Sequence, residues 1–171
     1  GWCDYPPAYM YVLALIDGLR TLVGAQDNAA LSQVLVKLPA MLCDLVSAML
    51  IYKWLKRENV RGGMALWLVA FYVFNPATVF DSAAWGQIDS VFTPMVVAAV
   101  YLCVQGNWKW ALPVYVLSAL VKPQTLMLAP IAAIVLVTEI VRAGINRDRV
   151  LKQIGIGIAI SLGAAAVIIV P

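Results

Sequence analysis

Long apolar stretches alternate with short polar connectors along almost the whole of this chain. A spanning helix needs about 20 mostly apolar residues. Six stretches approach that length: residues 37–52, 62–79, 90–104, 110–121, 124–141 and 154–170, the fourth being the shortest. The pattern predicts an all-α, polytopic membrane protein with about six transmembrane helices, forming part of a larger helical bundle.

The connectors are of two kinds. Lys53, Lys56, Arg57 and Arg61 surround the first, Lys109 lies in the third, and Arg142, Arg147, Arg149 and Lys152 fill the fifth. Cytoplasmic loops carry an excess of Lys and Arg, so these connectors are expected inside. Residues 80–89 and 121–124 hold acids, amides and only Lys122, and are expected outside. Residues 8–23, AYMYVLALIDGLRTLV, are apolar but interrupted by Asp17 and Arg20. If they crossed the membrane, the basic 53–61 connector would fall outside, against the charge rule. An amphipathic helix lying in the outer interface is the consistent alternative, with Asp17 and Arg20 spaced at i, i+3 to pair. The chain thus divides into an external segment, 1–36, carrying the interfacial helix, and a transmembrane region, 37–171.

Composition agrees with the pattern. Hydrophobic residues make up 63% of the 171 residues and charged residues 12%, with a mean hydropathy of +0.88. Typical soluble domains are roughly 45–50% apolar and about 25% charged. Nine of the twelve basic residues sit in the inner connectors, so the net charge of +3 reports topology and no nucleic-acid partner is expected. The chain has no histidine, which excludes His-based triads and His–zinc sites within it. Cys3, Cys43 and Cys103 are too scattered for a CxxC motif or a disulfide framework. The chain starts at Gly1 without a signal sequence and stops inside an apolar run, so it is expected to be a piece of a longer membrane protein.

An ionisable group at a helix centre in the membrane costs about 2.5–3.5 kcal/mol on insertion scales, so the placement of these groups carries information. Asp4, Lys37, Asp44, Asp81, Asp89 and Lys122 all fall on the outer side of this topology, joined by Asn75, Gln87 and Gln124. The outer helix ends are therefore expected to line a polar chamber. On the inner side Glu58 and Asp148 sit among Lys and Arg as solvated loop charges, and Glu139 has Arg142 at i+3.

Each outer motif admits two uses. In Asp4-Tyr5-Pro6-Pro7 the prolines lead into a helix, so Asp4 is either its N-terminal cap or a positioned carboxylate that takes a proton from an acceptor hydroxyl. Asn75-Pro76 is expected to kink its helix. Residues 80–90, FDSAAWGQIDS, form either a hydrated loop with Trp85 in the aromatic belt or a loop that binds a polyol or faces a phosphate. Asp81 and Asp89 share a face only if the helix runs on through Gly86. Lys122-Pro123-Gln124 holds either a snorkelling lysine or a point charge for a lipid-linked phosphate. Lys37 and Asp44, seven residues apart, lie on one helix face and serve either as a buried polar contact or as support for the chamber.

At these positions the order and spacing of the motifs resemble the polytopic C-superfamily glycosyltransferases that use polyprenyl-phosphate sugars, especially bacterial mannosyltransferases related to the second mannosyltransferase of GPI-anchor synthesis. The Asp-Tyr-Pro-Pro element is also similar to that of dolichyl-phosphate-glucose glucosyltransferases. Residues 1–136 carry the resemblance, with Lys37-Leu38-Pro39 and Asp44 fitting too. It implies inverting transfer of a hexose, mannose favoured, from a polyprenyl-phosphate sugar to a lipid or glycan acceptor. The transfer would occur on the non-cytoplasmic side of a bacterial plasma membrane, or of the endoplasmic reticulum in a eukaryote. The resemblance further implies Asp4 as catalytic base and Tyr5, Asp81, Gln87, Asp89, Lys122 and Gln124 as substrate-binding residues. Lys122 would face the donor phosphate, while Lys37, Asp44 and Asn75 act in support. It implies no cofactor beyond a divalent metal at Asp81 and Asp89 where a family member uses one. Such enzymes have further spans, expected outside this stretch.

Two other functions stay open. A non-catalytic lipid-carrier or solute transporter would use the same outer polar groups, with related broken helices in two halves. A structural membrane subunit accounts for the spans but not for the one-sided polar clustering.

Overall fold

The structure, a computed structural model, describes residues 7–86 and 89–169. Every regular element among the described residues is helical. In chain order these are α1 (Pro7–Leu22), α2 (Ala29–Arg57), α3 (Gly62–Val73), α4 (Pro76–Val79), a π-helical turn (Phe80–Trp85), α5 (Asp89–Val104), α6 (Trp108–Val121), a 3-10 stretch (Pro123–Leu128), α7 (Ala129–Arg142), a 3-10 turn (Gly144–Asn146) and α8 (Arg147–Ile169). They form two compact units, one Tyr9–Val97 and the other principally from Ala98 onward.

In the first unit α1 closes on a left-handed Gly24, with the Ala25 N–H donating back to the Arg20 carbonyl at 2.9 Å. Asp17 and Arg20 do pair, at 3.8 Å. Helix α2 starts where the Asn28 side chain accepts the Leu31 N–H at 3.1 Å, a cap that satisfies one of the orphan donors of a helix start. At 29 residues it is about 43 Å long. Its start lies eight residues ahead of the apolar run, because Ser32 and Gln33 interrupt the apolar pattern without interrupting the helix. Lys56 and Arg57 occupy its last turn, where cations complement exposed carbonyls.

The kink expected at Asn75-Pro76 is present. The Asn75 carboxamide oxygen accepts the Ala77 N–H at 2.9 Å and Pro76 takes the first helical position, so α3 stops and α4 restarts. Helix α3 and the segment Pro76–Trp85 are bent by 46°. Helical structure continues to Trp85, six residues further than the sequence pattern predicts, because the π-helical turn absorbs Phe80–Trp85. Gly86, at φ +70, then stops it, so Asp81 and Asp89 do not lie on one continuous helix.

In the second unit α6 packs along α8. Trp108, Ala111 and Ile154 are buried there, flanked by Leu102, Cys103, Leu112, Leu136, Ile140 and Val150. The turn into α6 uses a left-handed Gly106, whose N–H donates to the Cys103 carbonyl at 2.9 Å.

Buried positions in both units are mostly small: Ala25, Ala40, Ser47, Ala48, Ala65, Ala99, Ala111, Ser118 and Ser161. Apart from the buried Trp108, many large side chains point outward, Trp67 and Phe71 of α3 and Phe74 at its C-terminal cap each being more than 75% exposed. This inversion is what a bilayer demands, since lipid tails solvate large apolar groups while small residues let helices approach. Three helical segments are long and apolar enough to cross, Ala29–Arg57, Pro123–Arg142 and Gly144–Ile169, and the bent pair brings the number to four among the described residues. The remaining two apolar stretches are helices α5 and α6, of 16 and 14 residues. The fold is an all-α, polytopic membrane architecture.

Candidate functional site

Of the residues singled out in sequence, Asp4, Tyr5 and Gln87 lie outside the described residues. The first unit holds Lys37, Asp44, Asn75, Asp81 and Asp89; the second holds Lys122 and Gln124.

Lys37 reaches from α2 to the end of the π-helical turn, where its ammonium donates to the Ala84 carbonyl at 2.8 Å. Trp85 and Gly86 follow, and a Cβ on Gly86 would stand 2.8 Å from Lys37 Cγ. Lys37 therefore fastens the turn to α2 from below while a glycine gives its stem room. Asp81 accepts from the Ser90 hydroxyl at 3.5 Å, and the Asp81 carbonyl takes the Gly86 N–H. Asp89 opens α5, and its carbonyl accepts the Thr93 hydroxyl at 2.7 Å. No group of three or more Cys, Asp or Glu side chains gathers to hold a metal ion among the described residues.

Two turns along α2 from Lys37, Asp44 is buried and meets α3, the Tyr72 hydroxyl donating to its Oδ1 at 3.5 Å. Asp44 Oδ2 and the fully buried Ser47 hydroxyl have no protein partner there. This is a helix–helix polar contact. Tyr72→Phe is expected to destabilise the protein by about 1–3 kcal/mol, the usual cost of orphaning a buried polar group. Adding Asp44→Leu to that variant, which removes the orphaned polar group at similar size, is expected to restore much of the loss. Melting the detergent-solubilised full-length variants checks both, and a Tyr72→Phe protein that melts with the wild type would remove the contact from the stability account.

In the second unit Lys122 bridges α6 and the 3-10 stretch in extended conformation, its N–H donating to the Ser118 carbonyl at 2.8 Å. Gln124 is exposed. Thr125 is buried, and its carbonyl accepts the Tyr115 hydroxyl at 3.0 Å. The Lys-Pro-Gln element is thus also the joint between two helical segments.

Sequence reasoning did not bring together the groove beside Lys37. Its volume is about 340 Å³, and Arg20, Ser32, Gln33, Val36, Lys37 and Trp85 line it. Arg20 is held in place by its Nε–H donating to the Ser32 hydroxyl at 3.2 Å, and that hydroxyl in turn donates to the Ala25 carbonyl at 2.7 Å. In sequence Arg20 was legible only as the i+3 partner of Asp17, although it is a basic residue outside the inner connectors.

With this geometry in place, comparison with known families gives a match: the model for GPI transamidase subunit PIG-U covers residues 2–170. The chain belongs to the PIG-U family. No curated protein and no solved structure matches it.

That membership overturns the glycosyltransferase reading. The chain is not a mannosyltransferase or other hexosyltransferase, and a polyprenyl-phosphate sugar is not its donor. The bacterial mannosyltransferase and glucosyltransferase resemblances rested on four short motifs. Two of them are explained here by local helix mechanics: Asn75-Pro76 caps and restarts a helix, and Lys122-Pro123 joins two helical segments. Any polytopic helical protein that breaks its helices near the membrane surface has reason to use such dipeptides.

Proposed function

We propose that this chain is a non-catalytic membrane subunit of a GPI transamidase, the complex that attaches GPI anchors to proteins. The match of residues 2–170 to the PIG-U model carries the reading. The partners are then other transamidase subunits, and the substrates of the complex are GPI and the proprotein. The endoplasmic reticulum is the membrane in which that complex works, in place of a bacterial plasma membrane.

In this reading α2, the bent pair, Pro123–Arg142 and Gly144–Ile169, which are long and apolar enough to cross, make six crossings together with α5 and α6, with α1 in the outer interface. Helices α5 and α6 are about 24 and 21 Å long by their residue counts. They reach across where the bilayer thins around them or their flanking residues snorkel. The nine inner basic residues support this orientation. The outer polar residues among those described, Asp81, Asp89, Lys122 and Gln124, then meet the glycolipid or a neighbouring subunit, while Lys37, Asp44 and Asn75 hold the helices around them.

Affinity purification of the tagged full-length protein from digitonin-solubilised membranes, followed by mass spectrometry, is expected to recover transamidase subunits. Depleting the protein is expected to lower a GPI-anchored reporter at the cell surface several-fold. Recovery of no such subunit, with an unchanged reporter, would sink the reading.

A further inference from the structure

The four cations around the joint between α7 and α8, Arg142, Arg147, Arg149 and Lys152, are exposed, and none pairs with a carboxylate among the described residues. Between them Ile145 is 103% exposed, more than any other large apolar side chain described. We propose that this hairpin end docks on anionic phospholipid headgroups of the cytoplasmic leaflet, with Ile145 seated at the headgroup–acyl boundary, resting on the reading above that the flanking segments cross the membrane with this end inside.

Position makes lipid the occupant. Pro123–Arg142 and Gly144–Ile169 are both long and apolar enough to cross, and only Ala143 separates them. Two crossing helices joined so closely must meet at the membrane surface, since each comes directly from the hydrocarbon. The joint is also tight. The Ala143 N–H donates to the Glu139 carbonyl at 2.9 Å, the Asn146 N–H to the Ala143 carbonyl at 2.8 Å, and Gly144 takes φ +48. Ile145 is thereby held on a 3-10 turn, and α8 begins at once with Arg147. In water a fully exposed isoleucine gains nothing from its apolar surface, whereas the boundary of a bilayer buries it.

Charge makes the lipid anionic. Residues 142–152 hold four basic residues and one acid, Asp148, a net charge of +3. Glu139, one turn back on α7, lies instead against the turn into α6, its Oε1 3.8 Å from where a Cβ on Gly106 would stand. Arg forks suit phosphate oxygens and Lys152 adds a point charge. The first inner connector provides the contrast. It too has four cations, Lys53, Lys56, Arg57 and Arg61, but its turn carries the exposed Glu58 and Asn59. Charge alone draws that connector to a headgroup, without an apolar side chain at the tip.

The test uses full-length protein, with whatever subunits accompany it, in liposomes of equimolar phosphatidylserine and phosphatidylcholine. A photo-crosslinking benzoylphenylalanine replaces Asn146, and captured molecules are identified by mass spectrometry. Phosphatidylserine is expected to be captured about fivefold or more over phosphatidylcholine, the worth of one basic residue at an anionic surface, and the ratio is expected to fall as salt rises. Arg147→Gln with Arg149→Gln is expected to bring the ratio down to that of the bulk lipid, while Lys53→Gln with Lys56→Gln leaves it unchanged. Ile145→Ser is expected to lower capture of both lipids about threefold or more.

Capture of the two lipids in their bulk ratio by the wild type overturns the proposal. An equal loss in the Lys53 and Lys56 variant overturns it as well, since diffuse charge would then suffice. Capture of protein in place of lipid makes the hairpin end a subunit contact, which also overturns it, and unchanged capture by Ile145→Ser overturns the seating of that side chain. In sealed microsomes Asn146→Cys is expected to react with an impermeant maleimide above the wild-type level. Reaction only after permeabilisation overturns the orientation and the proposal together, whereas a failed lipid test with that reaction intact overturns the proposal alone. Neither readout depends on which subunits copurify, so the transamidase reading stands or falls separately.

Discussion

Gly157→Leu is expected to unfasten the second unit and to lower the melting temperature of the full-length protein more than any other single substitution there. A Cβ at Gly157 would stand 2.8 Å from the Trp108 carbonyl oxygen and 3.2 and 3.3 Å from Leu112 Cδ1 and Cβ. Backbone oxygen cannot rotate away as a side-chain tip can, so α6 and α8 must separate. Overpacking costs typically about 1–3 kcal/mol, and here separation also loosens the packing around Trp108, which is 2% exposed. The Ser161 hydroxyl, buried one turn on and donating to the Gly157 carbonyl at 2.7 Å, shares the same narrow face. Gly155 supplies the control: nothing lies within 4 Å of its would-be Cβ. Gly155→Ala is therefore expected to be neutral or to stabilise by up to about 1 kcal/mol through helix propensity. Melting curves by size-exclusion fluorescence in detergent separate the two, and a Gly157→Leu protein that melts with Gly155→Ala would show that α6 and α8 do not need close approach.

Gly86→Val is the second large effect. At φ +70 the left-handed backbone penalises an L side chain by about 1–2 kcal/mol, more for a β-branched one. The added Cβ also meets Lys37 Cγ at 2.8 Å. Lys37 can swing aside only by giving up its bond to the Ala84 carbonyl, so the substitution strikes both the turn and the cation lining the groove. Loss of about 2 kcal/mol or more is expected. Gly86→Asn tests the backbone part, since Asn tolerates this conformation best among non-glycine residues. Lys37→Ala combined with Gly86→Val tests the steric part, and the double mutant is expected to be less damaged than the sum of the singles. Strict additivity would show that Lys37 and Gly86 do not meet.

Much of the helical layout was readable from local pattern. Each of the six apolar stretches contains a helix, Asn75-Pro76 marks a kink, and Asp17 pairs with Arg20. Those features depend on neighbours within a turn or two of the chain. Boundaries were less readable, because a helix can run on through polar positions such as Ser32 and Gln33 once a cap such as Asn28 has started it. The π-helical turn was hidden for a related reason: Asp81 and Ser82 look like loop residues until the wider helical ring gives their backbone groups partners. The polar motifs at the helix ends were legible as polar, but the glycosyltransferase activity read from them was misassigned. Short Pro-containing elements serve helix breaks as readily as they serve sugar transfer.

By itself the sequence determined that the chain is helical and apolar enough for a bilayer, because length and hydropathy act on each segment independently. Tertiary structure alone decided that Lys37 grips a carbonyl 47 residues away, that Gly157 admits the Trp108 backbone, and that Arg20 and Lys37 line one groove. Each of these is a meeting of surfaces from different helices. Hydrophobic periodicity specifies that a face is buried or lipid-exposed, but which residues of another helix it meets is set by packing shape, and small residues carry that information without any signature in hydropathy.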